Sequence, residues 1–296
     1  MDSSQRSSNR KRKAQDSMMV SCKRAKFMAK YQRQNFSMPD SVIFYIAKNP
    51  KTPELYLKMV KTCKYFFVKN PILVIHRLYT NGGKWRVNGK PLDLTKYNCK
   101  YWITDNIIAS ASEFVDKNIL SPIIPKLYKF DVKRLTLLYQ IISFNDLSLL
   151  ISSAETIRFI CVIVKHVNRS DVPIEDIIAI AVNAEHVDVY KPTITPKTMK
   201  QLLQIPHFAT LGYLGLYDLS EVFDIEAFYD YMKKNRHTKF YLTFDDQITD
   251  AFTNRLETIV DEILETQQFN YKPPVIKFTG LDDQKYEKLC QISRSH

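Results

Sequence analysis

The feature that most constrains the fold is a pair of alternate apolar residues that recurs six times in the C-terminal half of the chain. Apolar residues at every second position predict strands with one buried face. Successive pairs are 22 to 36 residues apart, and they are Leu135/Leu137, Ile157/Phe159, Val187/Val189, Leu214/Leu216, Phe240/Leu242 and Ile276/Phe278. Helix-like runs lie between the pairs, at 145–153, 173–183, 196–204, 225–234 and 249–266.

A strand and a helix in every repeat of this length predict a leucine-rich-repeat-like (LRR-like) α/β solenoid with parallel strands over residues 130–285. A doubly wound α/β domain alternates the same elements, but the nearly even spacing favours the solenoid. Thr195 before Pro196, and Asp224, are expected to begin two of the helices. The predicted strands are 134–138, 157–164, 186–190, 213–217, 239–244 and 275–278.

The net charge of +12 belongs mostly to the N-terminus, since residues 1–36 hold ten Lys and Arg against two Asp. This polar segment lacks apolar periodicity, which predicts a disordered basic tail. Two basic clusters ten residues apart have the arrangement of a bipartite nuclear-import signal; they are Lys11 and Arg12, then Lys23, Arg24 and Lys26. A solubilising tail and a phosphate-binding arm are the alternatives.

The sequence offers no membrane anchor or disulfide framework. Its longest apolar runs, at 159–164 and 177–182, fall far short of the roughly 18 residues of a membrane span. The N-terminus lacks the apolar stretch of a signal peptide. Five scattered cysteines fit reduced thiols. We therefore expect a protein of the nucleus and cytoplasm, with an import receptor as one partner.

No catalytic constellation is found. The six histidines never pair with cysteines or carboxylates at the spacing of metal ligands, and no serine lies in a G-x-S-x-G motif. The row Glu257, Asp261 and Glu265 is typical of a solvated helix face. We expect no catalytic, metal-binding or cofactor-binding residue, no cofactor, and hence no enzyme.

Residues 37–80 predict a small helical module. Pro39-Asp40-Ser41 opens one helix, and Asn49-Pro-Lys-Thr-Pro53 separates it from a second. The segments Met38–Ile43 and Thr62-Cys-Lys-Tyr-Phe66 resemble an F-box, and most of residues 38–285 resembles the F-box-like protein family that is expanded in nematodes. The chain departs from the F-box pattern with Met38 and Phe66 in place of Leu and Trp, and with Pro50 and Pro53 in its middle.

The resemblance implies a module that docks the Skp-type adaptor of a cullin–RING ubiquitin ligase. The residues it implies for this contact are Pro39, Ile43, Ile46, Leu55, Cys63 and Phe66. Two amphipathic helices that only cap the repeat domain are the alternative.

The strand phase also predicts a surface for a target protein. If the apolar pairs face the core, their neighbours point outward along one face, and this outward set is rich in Tyr and cations, the residue types of binding hot spots. The expected partner-binding residues are Arg134, Arg158, Tyr190, Tyr213, Tyr217, Lys239 and Tyr241. Ordinary exposed strand positions are the alternative.

The expected architecture is α/β: a tail at 1–36, an F-box-like helical module at 37–80, a linker with short strands at 81–129, an irregular LRR-like solenoid at 130–285, and a C-terminal tail at 286–296. The leading function is a non-enzymatic substrate receptor that recruits an unidentified target to a ubiquitin ligase. The alternative is a nuclear regulatory protein that has lost adaptor binding and antagonises a protein partner. Nucleic acid is not expected to contact more than the tail.

Overall fold

The structure is a computed structural model that describes residues 35–94, 98–111 and 118–296. It is a mixed α/β protein with a mostly parallel sheet. The chain divides into two compact units, the first ending at Ile72 and the second running from Leu73 to His296. The predicted import residues Lys11, Arg12, Lys23, Arg24 and Lys26 lie outside the described residues.

From residue 35 onward, the first unit contains three helices: α1 (Asp40–Lys48), α2 (Pro53–Thr62) and α3 (Lys64–Lys69). Helix α2 begins where the sequence predicts, because the Thr52 hydroxyl accepts a hydrogen bond from the Leu55 amide at 3.2 Å and Pro53 occupies the first turn. The helices share a small core of Ile43, Ala47, Met59 and Phe66.

Two buried polar side chains close this unit. The Tyr56 hydroxyl donates to the Asn70 carbonyl at 2.7 Å and accepts from the Ile72 amide at 3.0 Å. The Asn70 side-chain amide donates to the Ala47 carbonyl at 3.0 Å. These bonds satisfy the carbonyl at the end of α1 and fix the chain that leaves α3.

The second unit is built on an eleven-stranded sheet. In spatial order the strands are β13 (Val275–Lys277), β12 (Lys239–Phe244), β11 (Tyr213–Leu219), β10 (His186–Tyr190), β8 (Thr156–Ile160), β6 (Arg134–Leu138), β4 (Lys100–Ser110), β1 (Ile72–Asn81), β2 (Lys84–Val87) and β3 (Lys90–Pro91), with β5 (Leu127–Phe130) paired to β4. Pairing is parallel from β4 to β13 and antiparallel from β1 to β3. Strands β7 (Ile141–Ser143) and β9 (Ile163–Lys165) form a second, parallel pair.

Helices alternate with the parallel strands: α4 (Phe144–Ile151), α5 (Ile174–Ile180), α6 (Thr198–Leu202), α7 (Ile225–Met232), α8 (Asp250–Glu265) and α9 (Asp283–Ser295). The Asp224 carboxylate caps α7, as predicted, by accepting from the Ala227 amide at 3.0 Å. The predicted start at Pro196 is wrong by two residues. The Thr198 hydroxyl accepts from the Thr195 amide at 2.9 Å and donates to buried Glu175 at 2.8 Å, which holds Pro196 in a turn before α6.

Burial alternates along the parallel strands as the sequence predicts. In β6, Leu135 and Leu137 are fully buried while Arg134 is exposed, and the same alternation recurs in β8, β10 and β12. Both faces of a doubly wound sheet are buried. In β6, β8, β10 and β12 one face lies on the core, and the residues of the other, called the outward face below, are exposed or half-buried.

The strands share a corner that the sequence does not reveal. Tyr139, Cys161, Lys191 and Asp218 each follow an outward residue at the same register position, and all four have positive φ, between 51° and 62°. Glycine is the usual residue at such angles, and none of the four is glycine. This corner also divides the predicted strand 157–164 into β8 and β9, because Cys161 breaks the extended backbone.

Three predicted boundaries are corrected. The first unit ends at Ile72 and not at residue 80, because β1 already pairs within the sheet. The segment 81–129 is more than a linker, since β4 is an eleven-residue strand of that sheet. The predicted C-terminal tail 286–296 is helical up to Ser295, since it belongs to α9, which packs on α8 and β13 and contains fully buried Leu289.

Candidate functional site

The outward face of β10, β11 and β12 carries a continuous set of polar and aromatic side chains. Strand register places His186 beside Tyr213, and Tyr213 beside Lys239. Two residues further along each strand, Asp188 lies beside Gly215, and Gly215 beside Tyr241. The third row brings Tyr190 beside Tyr217.

Asp188 is the centre of a hydrogen-bond network on this face. Its carboxylate contacts His186 Nε2 through Oδ2 at 3.0 Å and accepts from the Tyr217 hydroxyl through Oδ1 at 3.0 Å. The Tyr217 and Tyr213 hydroxyls are 3.1 Å apart, which extends the network across β11. Only 13% of the Asp188 side chain is exposed, so these partners compensate for the water that it has lost.

Gly215 makes this network possible. A Cβ at this position would overlap Asp188 Oδ1 and would lie 2.8 Å from both Cε2 and the hydroxyl oxygen of Tyr217. Real Cβ atoms do not approach neighbours so closely, so a larger residue would displace at least one of the two side chains. The glycine therefore opens the space in which Tyr217 folds over the strand to reach Asp188.

The aromatic rings form an ordered ladder, defined here as Tyr190, Tyr217, Tyr241 and Tyr286. Tyr190 and Tyr217 stack with centroids 4.1 Å apart, and Tyr217 and Tyr241 are 5.3 Å apart. The Tyr241 and Tyr286 hydroxyls are 2.9 Å apart, which continues the ladder onto α9. His186 and Tyr213 make a second stack at 4.2 Å.

The environment of the phenols keeps them protonated. Burial is the main cause that raises the pKa of Tyr217, with a further contribution from its hydrogen bond to Tyr213. Burial also raises the pKa of Tyr213. The hydrogen bond to Tyr241 is the main cause that raises the pKa of Tyr286. These hydroxyls are hydrogen-bond donors at neutral pH and weak nucleophiles.

The structure brings together four of the seven predicted partner-binding residues: Tyr190, Tyr213, Tyr217 and Tyr241. Lys239, on the same face, donates to the Ser293 carbonyl at 3.4 Å. Arg134 and Arg158 lie further along the face on β6 and β8, and Arg134 pairs with Asp105. Sequence reasoning missed His186 and Gly215, although both share the outward phase of their strands, and it missed Tyr286, which α9 brings in from outside the repeats.

The predicted adaptor residues differ in how far their side chains are exposed. Ile43 and Phe66 lie in the core of the first unit, where they support the helices and present no contact surface. Ile46 and Cys63 are half-buried, and the Cys63 thiol accepts from the Tyr65 amide at 3.4 Å to begin α3. Pro39 and Leu55 are exposed.

Exposed apolar side chains are nonetheless abundant in this unit. They are Met38, Val42, Phe44, Tyr45, Leu55 and Leu57, each at least 42% exposed. Helical periodicity from sequence selects core positions, so it could not identify these residues.

Within the described ranges, no three His, Cys, Asp or Glu side chains are grouped as a metal site would require. The helices of the described residues are too short or too polar to span a membrane. The chain matches no known protein-family model. No curated protein is significantly similar to it in sequence.

Proposed function

We propose that the protein is a non-enzymatic substrate receptor, in which the first unit docks the Skp-type adaptor of a cullin–RING ubiquitin ligase and the outward face binds the protein to be modified. The observation that carries this proposal is the aromatic ladder on the outward face, held in one arrangement by stacking and by Asp188. The receptor works by raising the effective concentration of its target at the ligase, which requires binding surfaces and no catalytic group.

An LRR-like solenoid is the finer fold that agrees best with the second unit. Apart from β5, which pairs with β4 off the main path, the strands of the main sheet from β4 to β13 follow one another in chain order. One face of the sheet is buried, and the left-handed corner recurs at one register position in four strands. Stacked repeats of this kind present an extended surface for a macromolecule.

The ladder has the properties of a protein-binding surface. Tyrosine rings supply a large contact area together with a polar hydroxyl, and they are enriched at interface hot spots. Because Tyr190 and Tyr217 are already stacked, binding costs little further side-chain entropy. The raised pKa of Tyr217 supports a binding role over a nucleophilic one.

The exposed apolar residues of the first unit support adaptor docking. The described part of this unit, residues 35–72, exposes six large apolar side chains, a higher density than isolated apolar residues give on an ordinary protein surface. They include Leu55, which the F-box resemblance also implies. The adaptor surface is therefore proposed to be Met38, Val42, Tyr45 and Leu55, supported from below by Ile43 and Phe66.

The second candidate function is a nuclear regulatory protein that has lost adaptor binding. It is favoured by the burial of Ile43 and Phe66, two of the six residues that the F-box resemblance implies for the adaptor contact. In that case the outward face would bind and antagonise a protein partner without delivering it to a ligase.

Titration of the purified protein with a Skp-type adaptor distinguishes the two candidates. The receptor predicts micromolar or tighter binding that Leu55→Ala weakens by about 2 kcal/mol, the typical cost of truncating a central interface anchor. The double variant Tyr190→Ser and Tyr241→Ser is the matched control and should bind the adaptor normally. Absence of adaptor binding by the folded wild-type protein would leave the regulatory protein as the better candidate.

A further inference from the structure

The outward face is cationic. Of the outward positions on the described strands β6 to β13, four carry Lys or Arg and Asp188 alone is acidic. Three of the cations have contacts: Arg134 with Asp105, Lys239 with the Ser293 carbonyl, and Lys277 over the ring of Tyr286 at 5.0 Å.

Arg158 is different. It is exposed, and nothing in the described part of the chain forms a hydrogen bond or an ion pair with it. Its register partner on β10 is Asp188, the acid closest to it along the strands. The two oxygens of Asp188 contact His186 and Tyr217, and neither contacts Arg158. The guanidinium of Arg158 is therefore available to a partner outside the chain.

A free guanidinium selects its partner by chemistry. It presents five N–H donors in a planar fork that fits a carboxylate with two parallel hydrogen bonds. A cationic surface also attracts acidic segments and disfavours basic ones. Arg158 lies on β8, the strand next to β10, where the ladder starts at Tyr190, so one extended segment can reach both.

We infer that the target presents an acidic segment, with one carboxylate paired to Arg158 and neighbouring residues lying on the ladder. This inference rests on the proposed function of the outward face. It adds the chemical class of the target and assigns Arg158 as the residue that determines it.

A nucleic acid would also bring negative charge, but the rings oppose it. Bases bind proteins by stacking on the open faces of aromatic rings. Tyr190 covers one face of Tyr217, and His186 covers one face of Tyr213. Tyr241 also packs against Tyr217. These ring–ring contacts leave fewer ring faces for bases, and the tyrosine hydroxyls suit a polypeptide.

Selection of random peptides displayed on phage tests the inference with the full chain. The wild-type protein should enrich sequences with Asp or Glu at one fixed position. Arg158→Glu should instead enrich Lys or Arg at that position. Arg236→Glu, at an exposed residue outside the strands, makes the same change in net charge and should select the wild-type sequences. Equal selection by the Arg158 and Arg236 variants would overturn the inference.

A synthesised winning peptide provides the quantitative test. Its binding to Arg158→Gln should be about tenfold weaker or more, the usual loss for a hydrogen bond to a charged group. This variant keeps the test decisive if Arg158→Glu, beside Asp188, folds poorly.

The outcomes separate this inference from the proposed function. Winning peptides that lose binding in the Tyr190→Ser and Tyr241→Ser variant but carry no acidic position would refute the acidic class alone. Winning peptides whose binding is unchanged by every substitution on the outward face would refute both the acidic class of the target and the proposed role of this face. A third outcome would change the proposed class of partner from a polypeptide to a nucleic acid. In that outcome a uridylate 20-mer binds the wild-type protein, Arg158→Gln abolishes this binding, and no acidic peptide competes with it.

Discussion

Replacing Gly215 with alanine is the most specific perturbation of the outward face. The added methyl group would overlap Asp188 Oδ1 and the Tyr217 ring, so one of the two side chains must move. Movement breaks the 3.0 Å hydrogen bond between Tyr217 and Asp188 and opens the stack of Tyr217 on Tyr190. Both contacts define the ladder.

The cost follows from these contacts. A hydrogen bond to a charged group contributes about 1.5–3 kcal/mol and an aromatic pair about 0.5–1.5 kcal/mol, and both values are reduced here because the side chains are partly solvated. Removing a strand glycine returns about 0.5–1 kcal/mol of backbone entropy. We expect Gly215→Ala to lower the free energy of unfolding by about 1–2 kcal/mol.

Denaturant unfolding measures this effect, and a double-mutant cycle identifies its cause. In a chain that already carries Asp188→Ala and Tyr217→Ala, the atoms that the new methyl group would meet are absent. Gly215→Ala should then be neutral or stabilising. If Gly215→Ala stabilises the wild-type chain as an ordinary substitution of a strand glycine does, Tyr217 does not fold over Gly215 and the network is wrong.

Three further experiments test other features of the fold. Raising the pH above about 10 should destabilise the wild-type protein more steeply than the Tyr217→Phe variant. The pKa of Tyr217 is raised in the folded protein, so the stability that its hydroxyl contributes is complete below the unfolded pKa and is lost as the pH rises. Denaturant titrations at several pH values measure this loss, and parallel stability curves for the two proteins would contradict the prediction. Cys161→Val should lower the free energy of unfolding by about 1–2 kcal/mol, because a β-branched residue does not tolerate a φ of 51°, while Cys161→Asn should be nearly neutral. Equal melting temperatures for the two variants would contradict the left-handed conformation at Cys161. Leu289→Ala should cost about 2–5 kcal/mol in thermal or chemical unfolding because Leu289 is fully buried, whereas a change within 0.5 kcal/mol would mean that α9 is a dispensable tail.

The strands of the second unit could be predicted because their signal is local. Alternation places Leu135 and Leu137 inward whatever the neighbouring strands are, and each strand has a covered face and an open face. The same phase correctly places Tyr190 and Tyr217 on the open face. The predicted boundaries of β6, β10 and β12 agree with the structure residue for residue.

The remaining features depend on contacts between distant segments. Tyr286 joins the ladder because α9 returns to the sheet, and Gly215 matters because Asp188 lies on the next strand. The left-handed corner has no glycine to mark it. In the first unit, apolar periodicity found the helices but could not separate Ile43, which is core, from exposed Val42 and Tyr45.

Photo-crosslinking in cells tests the central claim, that the outward face holds a protein target, most directly. A photoreactive amino acid replaces Thr136, the register neighbour of Arg158 on the outward face, or exposed Lys277 on the same face. In two further variants it replaces Asp230 or Glu262, which are exposed on the helices. We predict that the outward positions crosslink to a common protein, that Gly215→Ala in the same chain removes this crosslink, and that the helix positions do not form it. A common crosslinked protein from Asp230 and Glu262, with none from Thr136 and Lys277, would contradict the claim.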